Sequence, residues 1–279
     1  MKIALPSSGI SKDSSSGGER YGCDLADGLT RLGHDVHVLL ADHLSCGAPL
    51  AHVHRLGWRR GLRPWLMPFV MAPAIVRLWK AQRFDVLVSH SAGYTGPAAI
   101  LAKRFGGVTA PLVVHLHHAE PRLGLWALEK WAMRQADLVI VDSRFVEWQV
   151  RSEHGLRPKR LQVIHPGAPD DLVPHPLINL RRLDSVLEVL AIGPCVQRKD
   201  PIGAVRVFKQ AAGASGQRWR LTWVGDGPLR RRAEAEGRHA GVTFAGRVTE
   251  WHKRGFLMNS DIFLHCSRLE GFPLAVLEA

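Results

Sequence analysis

Short apolar runs alternate with helix-like stretches along the chain, and this alternation restricts the fold more than any other feature. Helical spacing marks residues 19–32, which Gly33 is predicted to end, and residues 123–134 and 144–153. Apolar runs without polar alternation are typical of strands covered on both faces, as in a parallel sheet. In the first part of the chain these runs are Lys2–Leu5, Val36–Leu40, Val86–Ser89, Leu112–His117 and Leu138–Val141.

A proline-rich segment divides the chain. Residues 166–176 contain four prolines and one glycine, a composition typical of a linker. The sequence therefore predicts two α/β, doubly wound domains at residues 1–167 and 186–279, a linker at 168–185, and ligands in the cleft between the domains. Beyond the linker, residues 202–212 and 229–237 are helix-like, and the strand-like runs are Val186–Ile192, Leu221–Val224, Val242–Phe244 and Ile262–Cys266.

The net charge of +12 in 279 residues favours anionic partners, such as phosphorylated small molecules or anionic lipid. A solvated basic surface explains the charge equally well. Nucleic acid is not predicted, because the basic residues are spread out and no reading motif occurs. The four cysteines form no CxxC pair, which argues against a metal or disulfide framework and fits a cytoplasmic location. The apolar N-terminal run is too short for a signal peptide.

The apolar segment Trp65–Val76 is flanked by basic residues and contains Pro68 and Pro73. Basic side chains beside apolar and tryptophan side chains are typical of a segment that lies at a membrane interface. A buried pair of helices broken by the prolines is the alternative interpretation. The first interpretation predicts peripheral binding to an anionic membrane surface.

A Gly-Gly pair lies between the first predicted strand and the first helix. Gly17 and Gly18 follow Ser14–Ser16, and two glycines let the backbone approach a ligand while the helix start offers free amides to a phosphate. The segment matches neither GxGxxG nor a P-loop, so a nicotinamide cofactor is poorly supported. A plain flexible loop is the alternative.

Three histidines end the strand that begins at Leu112. His115 and His117 face one side of a strand, and His118 begins the following loop. Side chains at the carboxyl end of a parallel strand point toward the expected ligand cleft. The spacing is unconvincing for metal ligands, so no metal is predicted. His117 is interpreted as a substrate contact or as a structural histidine.

Adjacent cations follow the first strand of the second domain. Arg198 and Lys199 stand in a loop before a helix, where they could bind phosphate oxygens, although a solvated turn explains them equally well. The later Gly-Asp-Gly turn at residues 225–227 is predicted to be structural.

The final segment carries two carboxylates, Glu270 and Glu278, separated by an apolar run. Pro273 fits the first position of a helix, and the backbone amides from Gly271 to Leu274 would then point toward an anion. The two carboxylates could reach opposite ends of one elongated ligand while the amides hold its middle. That arrangement suits a nucleotide sugar.

Together these motifs resemble the retaining glycosyltransferases of family 4, which have the GT-B fold of two facing Rossmann-like domains. The resemblance runs nearly end to end, and the order and spacing of the motifs make it specific. The last motif is similar to the family's Glu-x7-Glu signature. The matching segments are Gly17-Gly18-Glu19, Leu32-Gly33-His34-Asp35-Val36, His117, Ala136-Asp137-Leu138-Val139, Val163-Ile164-His165-Pro166-Gly167, Lys199-Asp200, Val224-Gly225-Asp226-Gly227-Pro228, Phe244-Ala245-Gly246-Arg247-Val248 and Glu270–Glu278.

The resemblance implies roles for these residues in the second domain. Lys199 would bind the donor diphosphate and stabilise the leaving group. Glu270 would hold sugar hydroxyls near the reacting carbon, and Glu278 would hydrogen-bond the nucleotide ribose. The segment Phe272, Pro273 and Leu274 would serve the phosphates with the backbone N–H groups that it has.

In the first domain, the resemblance implies that Gly17 and Gly18 line the acceptor and donor-phosphate side of the expected cleft. His117 would contact the transferred sugar, with His118 as the alternative register. Enzymes of this type usually need no catalytic metal, and retention is usually ascribed to attack on the face from which the phosphate departs. The co-substrate would be a nucleotide-diphosphate sugar, and the acceptor a glycan or a lipid-linked hydroxyl compound of the cell envelope.

The chain departs from the family pattern in two places. The family commonly has Gly-Arg where this chain has Gly193-Pro194, so one phosphate-binding cation is missing, and Arg198 is the candidate replacement. Family members also usually continue beyond the second glutamate, which predicts that the C-terminal domain is incomplete and the chain truncated. The alternatives are therefore a non-catalytic remnant that binds nucleotide or membrane, and another GT-B enzyme such as a nucleotide-sugar epimerase.

Overall fold

The computed structural model describes residues 1–10, 17–42, 48, 50–58, 66–117, 126–153, 155–158, 160–167 and 186–279. Internal contacts divide the chain into two compact units, Met1–Pro166 and Gly167–Ala279. The predicted first domain ends one residue beyond this division. The predicted linker, 168–185, lies outside the described residues, as do Ser14–Ser16, Trp65 and His118.

The first unit is a parallel sheet with helices. Within the described residues its strands pair in the order β3-β2-β1-β4-β5-β6-β7, and every pairing is parallel. The elements in chain order are β1 (Lys2–Ser7), α1 (Gly17–Arg31), β2 (Asp35–Asp42), β3 (His52–Trp58), α2 (Met67–Gln82), β4 (Val86–Ser89), α3 (Thr95–Gly106), β5 (Leu112–Leu116), α4 (Trp126–Gln135), β6 (Leu138–Val141), α5 (Arg144–Trp148) and β7 (Leu161–Val163).

The apolar strands lie in the centre of this sheet, as expected for strands covered on both faces. Leu87, Leu112, Val114, Val139 and Val141 are all fully buried in one core cluster. The register sets which residues leave the sheet side by side. The last residues of β5 and β6 lie opposite each other, so the polar residues that follow the two strands emerge together at the carboxyl edge.

The second unit has a smaller parallel sheet, with the strand order β10-β9-β8-β11 among the described residues. A separate core of Val189, Leu221, Phe208 and neighbouring side chains supports it. The elements are β8 (Leu187–Ile192), α6 (Pro201–Ser215), β9 (Trp219–Val224), α7 (Arg230–Glu236), β10 (Val242–Gly246), α8 (Glu250–Met258), β11 (Ile262–Phe263) and α9 (Leu274–Glu278).

The two sheets confirm the predicted α/β architecture, but several elements differ from the prediction. The alternative interpretation of residues 65–76, a buried pair of helices broken by prolines, is wrong for the described residues, because one helix, α2, contains Pro73. Proline lacks the N–H that would bond the carbonyl of Phe69. Because Phe69 is 62% exposed, water can reach that part of the helix. No helix in the described parts of the chain has both the length and the apolar content needed to cross a membrane.

Among the described residues, the prediction lacks the strands β3 and β7 and the α-helices α3 and α8. β3 and β7 are the outer strands of their sheet, where half-exposed residues replace the continuous apolar run. Residues 144–153, predicted as one helix, form α5 and then a π-helical turn at Gln149–Glu153. Gly33 does end the first helix region, with a left-handed φ of 82°.

Candidate functional site

In the second unit, the loop after β8 is held by backbone contacts that require glycine. Gly193 donates its N–H to Val224, and a Cβ on Gly225 would lie 2.0 Å from the Gly193 carbonyl oxygen. The φ of Gly225 is 137°, in the region that favours glycine. The predicted structural role of the Gly-Asp-Gly turn is therefore confirmed, because it fixes the path of the loop that carries Arg198 and Lys199.

A short 3-10 turn presents these two cations. The turn covers Gln197–Lys199, and Asp200 then caps α6 by accepting the N–H of Gly203 at 3.0 Å. Pro201 stands at the start of α6, where its missing N–H costs nothing. The sequence thus places a turn, a cap and a helix start in succession, and this fixes the backbone beside Lys199.

Arg198 and Lys199 converge on the carboxylate of Glu270. The guanidinium Nη1 of Arg198 donates to Glu270 Oε2 at 2.8 Å and to the Leu269 carbonyl at 3.3 Å, while the Lys199 ammonium bonds Glu270 Oε1. The backbone of Arg268 also donates to the Arg198 carbonyl at 2.8 Å. Three of the predicted site residues therefore lie in one cluster. Arg198 supplies a second cation beside Lys199 in this cluster, and the chain has proline at position 194, where the family commonly has arginine.

The electrostatics of the cluster favour a charged carboxylate. Burial raises the pKa of Glu270, but hydrogen bonds from Lys199 and Ser267 and the charge of Arg198 outweigh burial and lower it. The imidazole of His265 lies 3.8 Å from Glu270, and burial together with the charge of Lys199 lowers its pKa. The side chains of Lys199 and Glu270 are only 12% and 15% exposed, so the pair is poorly screened by solvent.

The final helix differs from the prediction at its start. Pro273 precedes α9 as its capping residue, with φ −83° and ψ 86°, and is not the first helical residue. The amide of Leu274 donates to the Phe272 carbonyl at 3.1 Å, so the expectation of a free Leu274 amide is wrong for this conformation. The reason is local. The φ and ψ of Pro273 place it at the centre of a tight turn, which brings the Leu274 amide to the Phe272 carbonyl. Gly271 and Phe272 are half-buried.

Glu278 binds a different cation from the two that bind Glu270. Its Oε2 accepts from the Lys253 ammonium of α8 at 2.7 Å, and its side chain is 7% exposed. The two carboxylates of the final segment thus have different cationic partners. The sequence did not predict the contact between Lys253 and Glu278, because it spans 25 positions and joins two elements.

In the first unit, a second polar cluster forms around Asp142. Leu116 lies opposite Val141 in the sheet, so the next residues, His117 and Asp142, emerge as neighbours. His117 Nδ1 is 2.8 Å from Asp142 Oδ2, and His115 Nε2 is 2.6 Å from Asp142 Oδ1. Both histidines thus reach the same carboxylate, which agrees with the prediction that they face one side.

Two further side chains surround this cluster. His90, which follows β4, places its Nε2 3.2 Å from His117 Nε2. The Tyr21 ring packs edge-on against His115 and His117, with ring centroids 5.0 and 5.1 Å away. A Cβ on Gly18 would lie 3.8 Å from His117 Cδ2, so the predicted residues Gly18 and His117 are also neighbours. Gly17 is the first residue of α1.

Burial and charge shift the pKa values of this cluster strongly. Burial raises the pKa of Asp142, but hydrogen bonds from His115 and His117 lower it to about 2. Burial lowers the pKa of His90 and of His115, and the neighbouring histidines add to the effect for His90. Burial and the charge of Asp142 raise the pKa of Tyr21 to about 12. Asp142 is therefore an anion and His90 is neutral at physiological pH.

The sequence did not predict Asp142 or His90, although a signal for both exists. Each is the first polar residue after a buried parallel strand, the same signal that identified His117. The donor atoms of His115, His117 and Asp142 lie within 4.8 Å of one another, close enough for a metal ion. In this structure, however, both carboxylate oxygens are engaged by histidine nitrogens.

Solved structures with the same fold cover almost the whole chain. Sucrose-phosphate synthase from Thermosynechococcus elongatus is 18% identical with a TM-score of 0.79, and the match covers 99% of this chain and 78% of that one. WaaG, a glycosyltransferase involved in lipopolysaccharide biosynthesis, is 16% identical with a TM-score of 0.75 and coverages of 99% and 78%. The catalytic domain of starch synthase IV from Arabidopsis thaliana, bound to ADP and acarbose, is 14% identical with a TM-score of 0.72 and coverages of 99% and 80%.

These likenesses show the GT-B fold, with the smaller sheet in the second unit. No curated protein sequence matched the chain. Two family models do match it, Glycosyltransferase Family 4 over residues 15–172 and Glycosyl transferases group 1 over residues 188–279. The first match spans more than half of the chain and includes Gly17, Gly18 and His117. The protein is a glycosyltransferase and belongs to glycosyltransferase family 4.

Proposed function

We propose that the protein is a retaining glycosyltransferase that moves a sugar from a nucleotide-diphosphate sugar to a hydroxyl acceptor. The observation that carries this proposal is the convergence of Arg198 and Lys199 on the two oxygens of Glu270. Two adjacent cations that already bind oxyanions are suited to a diphosphate, since charge-assisted hydrogen bonds to oxyanions are among the strongest in proteins.

In this proposal the donor takes the place of the internal anion. The diphosphate binds Arg198 and Lys199, and Glu270 is released to accept hydrogen bonds from the sugar hydroxyls. Arg198 replaces the cation that Pro194 removes. Glu278, held by Lys253, accepts hydrogen bonds from the ribose, because an ionised carboxylate with a fixed position is a good acceptor for two vicinal hydroxyls.

Other predicted residues have supporting roles in donor binding. The segment Gly271, Phe272, Pro273 and Leu274 lies next to Glu270 in the chain, and we assign its backbone to the phosphates. This role requires the Leu274 amide to exchange its bond with Phe272 for a phosphate oxygen. In the first unit, Gly17 and Gly18 leave the backbone open to a ligand, and His117 contacts the transferred sugar.

The chemistry requires stabilisation of the departing nucleotide diphosphate. As the C1–O bond breaks, positive charge grows on the sugar ring and negative charge on the phosphate. Fixed cations stabilise that separation more than they stabilise the ground state. Arg198 and Lys199 supply this charge, so we propose a reaction without a catalytic metal. The acceptor hydroxyl attacks C1 from the face that the phosphate leaves and passes its proton to the departing phosphate oxygen, so the configuration at C1 is retained.

We propose a glycan or lipid-linked acceptor of the cell envelope, reached from the cytoplasmic face of the membrane. The net charge of +12 favours an anionic surface, and Phe69 and Val70 at the start of α2 are exposed. The structural neighbour WaaG takes part in lipopolysaccharide biosynthesis. Pelleting with anionic and with neutral vesicles tests this part. Equal binding to both kinds of vesicle, or none to either, would contradict it.

Two measurements test the central proposal. Thermal unfolding with millimolar UDP, GDP or ADP should show a higher Tm for at least one nucleotide, because a ligand that binds the native state stabilises it. Incubation with the matching nucleotide sugars and envelope glycans should give a product with the anomeric configuration of the donor. An inverted product would refute retention. Release of nucleotide diphosphate without a glycosylated product would instead favour the epimerase alternative.

A further inference from the structure

The carboxylate of Asp142 bonds two histidines, and this arrangement determines which nitrogen of each ring carries a proton. An ionised carboxylate accepts hydrogen bonds and cannot donate them. His115 must therefore carry a proton on Nε2, 2.6 Å from Asp142 Oδ1, and His117 must carry one on Nδ1, 2.8 Å from Oδ2. His165 Nδ1 donates a hydrogen bond to the backbone carbonyl of Asp142 at 2.8 Å, and this bond restrains the backbone at the end of β6.

His90 completes the arrangement on the other side of the His117 ring. When His117 is neutral, its proton lies on Nδ1, so its Nε2 is a bare acceptor. His90 Nε2, 3.2 Å away, must then be the donor. The result is a continuous chain from the Asp142 carboxylate through His117 to His90, in which each ring has one allowed tautomer.

His117 is the most exposed residue of this hydrogen-bonded group. The side chains of His115 and Asp142 are 2% and 6% exposed, whereas the His117 side chain is 19% exposed. His90 is buried as well. A ligand can thus contact His117, while the groups that fix its ring stay behind it. Tyr21 packs against both His115 and His117 and restricts ring rotation.

We infer that Asp142 is a positioning residue for the transfer reaction, which acts through His117 by fixing its ring orientation and its Nδ1–H tautomer. The inference rests on the proposed function insofar as His117 contacts the sugar. The physical reason is that hydrogen bonds at both ring nitrogens, to Asp142 and to His90, hold the His117 ring in one orientation relative to the sugar.

The tautomer can be measured without any transfer reaction. Nitrogen-15 NMR of the imidazoles in the wild-type protein distinguishes protonated from bare ring nitrogens, and His117→Gln assigns the His117 signals by their loss. We expect Nδ1 of His117 and Nε2 of His115 to carry protons. A bare Nδ1 on His117 would overturn the inference, whatever the enzyme transfers. This measurement also keeps the inference testable if Asp142 variants fail to fold.

A double-mutant cycle then tests whether Asp142 acts through His117. We expect Asp142→Asn to lower kcat about 100-fold with little change in the KM for the donor, since a misplacement near 1 Å costs about that factor. In a His117→Gln background the same change should have little further effect, because the two residues act as a unit. Losses that multiply independently would show that Asp142 does not act through His117 and would reject the inference.

Ser143→Ala is the matched control. Ser143 is the neighbour of Asp142 and caps α5 by accepting the N–H of Val146 at 3.2 Å. Its variant should lose stability but keep the tautomer and kcat. If no nucleotide sugar supports transfer, the proposed function fails, while the NMR result still decides the geometry around Asp142. The two failures are therefore distinguishable.

Discussion

Arg198 donates a 2.8 Å hydrogen bond to Glu270, a residue 72 positions away in the chain. The same carboxylate also bonds the neighbouring Lys199. Because Arg198 and Lys199 bind an internal carboxylate, an incoming phosphate must compete with that carboxylate.

Lys199→Met should lower kcat by roughly 100-fold, since loss of one preorganised charge contact costs about 3 kcal/mol in the barrier. Arg198→Met should act in the same direction and should also reduce the Tm increase produced by nucleotide diphosphate. Arg206→Met is the control, because Arg206 is an exposed cation on α6 that pairs with Glu236. Steady-state kinetics and thermal unfolding provide the measurements. An unchanged kcat in Lys199→Met would contradict the assigned role.

Glu270→Gln should have opposite effects on affinity and catalysis. Without the internal anion, nucleotide diphosphate no longer competes for Arg198 and Lys199, so its Kd should fall. The free protein should lose about 1–3 kcal/mol of unfolding free energy, because Lys199 is left with an unmatched charge at 12% exposure. Transfer should slow, as the sugar hydroxyls lose an acceptor. Calorimetric titration measures the Kd, and weaker nucleotide binding would count against the competition.

Glu278→Gln should remove discrimination between ribose and deoxyribose. Hydrogen bonds to a charged group are worth about 1.5–3 kcal/mol, so the wild-type protein should bind the 2′-deoxy or 3′-deoxy nucleotide diphosphate about 10- to 100-fold more weakly. The variant should bind ribo and deoxy forms alike. Lys253→Met should give a partial version of this effect, since Lys253 holds Glu278 at 2.7 Å. Equal affinities for both sugars in the wild type would disprove the ribose contact.

Asp142 should make the stability of the protein depend on pH in the acid range. Its pKa is about 2 in the folded protein and 3.8 ordinarily, so the unfolded chain binds the proton more readily. The charged form therefore contributes about 2 kcal/mol above the unfolded pKa, and this contribution is lost as pH falls toward 2. Urea unfolding of wild type and Asp142→Asn should show a gap at pH 7 that narrows near pH 3.

The control for this pH dependence is Ser143→Ala. It removes a helix cap worth about 1 kcal/mol but no titrating group, so its destabilisation should be the same at both pH values. If the Asp142→Asn gap stays constant as well, then the hydrogen bonds from His115 and His117 do not depress the Asp142 pKa.

Gly225→Ala should destabilise the second unit by about 3 kcal/mol or more. The new Cβ would overlap the Gly193 carbonyl oxygen at 2.0 Å, and φ is 137°. Gly213→Ala is the matched control: this glycine lies inside α6 with nothing within 4 Å of the new atom, so alanine should be neutral or stabilise by up to about 1 kcal/mol. Urea unfolding measures both variants. Similar stabilities would show that the loop after β8 can relax.

The sequence predicted the central strands well and the outer elements poorly. Val86–Ser89 and Leu138–Val141 are continuous apolar runs and form strands with those bounds. β3 and β7 lie at the edges of the sheet, where one side lacks a neighbour and the residues are more polar, so no apolar run marks them. For the helices, spacing located α1 and α6. For α2 the sequence left two interpretations open, because the effect of Pro73 depends on whether solvent reaches the helix.

For the site, the sequence alone determined the residue types at strand ends and loops: Gly18, His117, Lys199 and the two glutamates are recognisable where they stand. Their partners were decided by the tertiary structure. Asp142 joins His117 because two strands share a register, and Arg198 meets Glu270 although the two are 72 positions apart in the chain. Local sequence fixes backbone propensity and chemistry over a few residues. Contacts between distant residues depend on packing of the whole sheet, which no local pattern encodes.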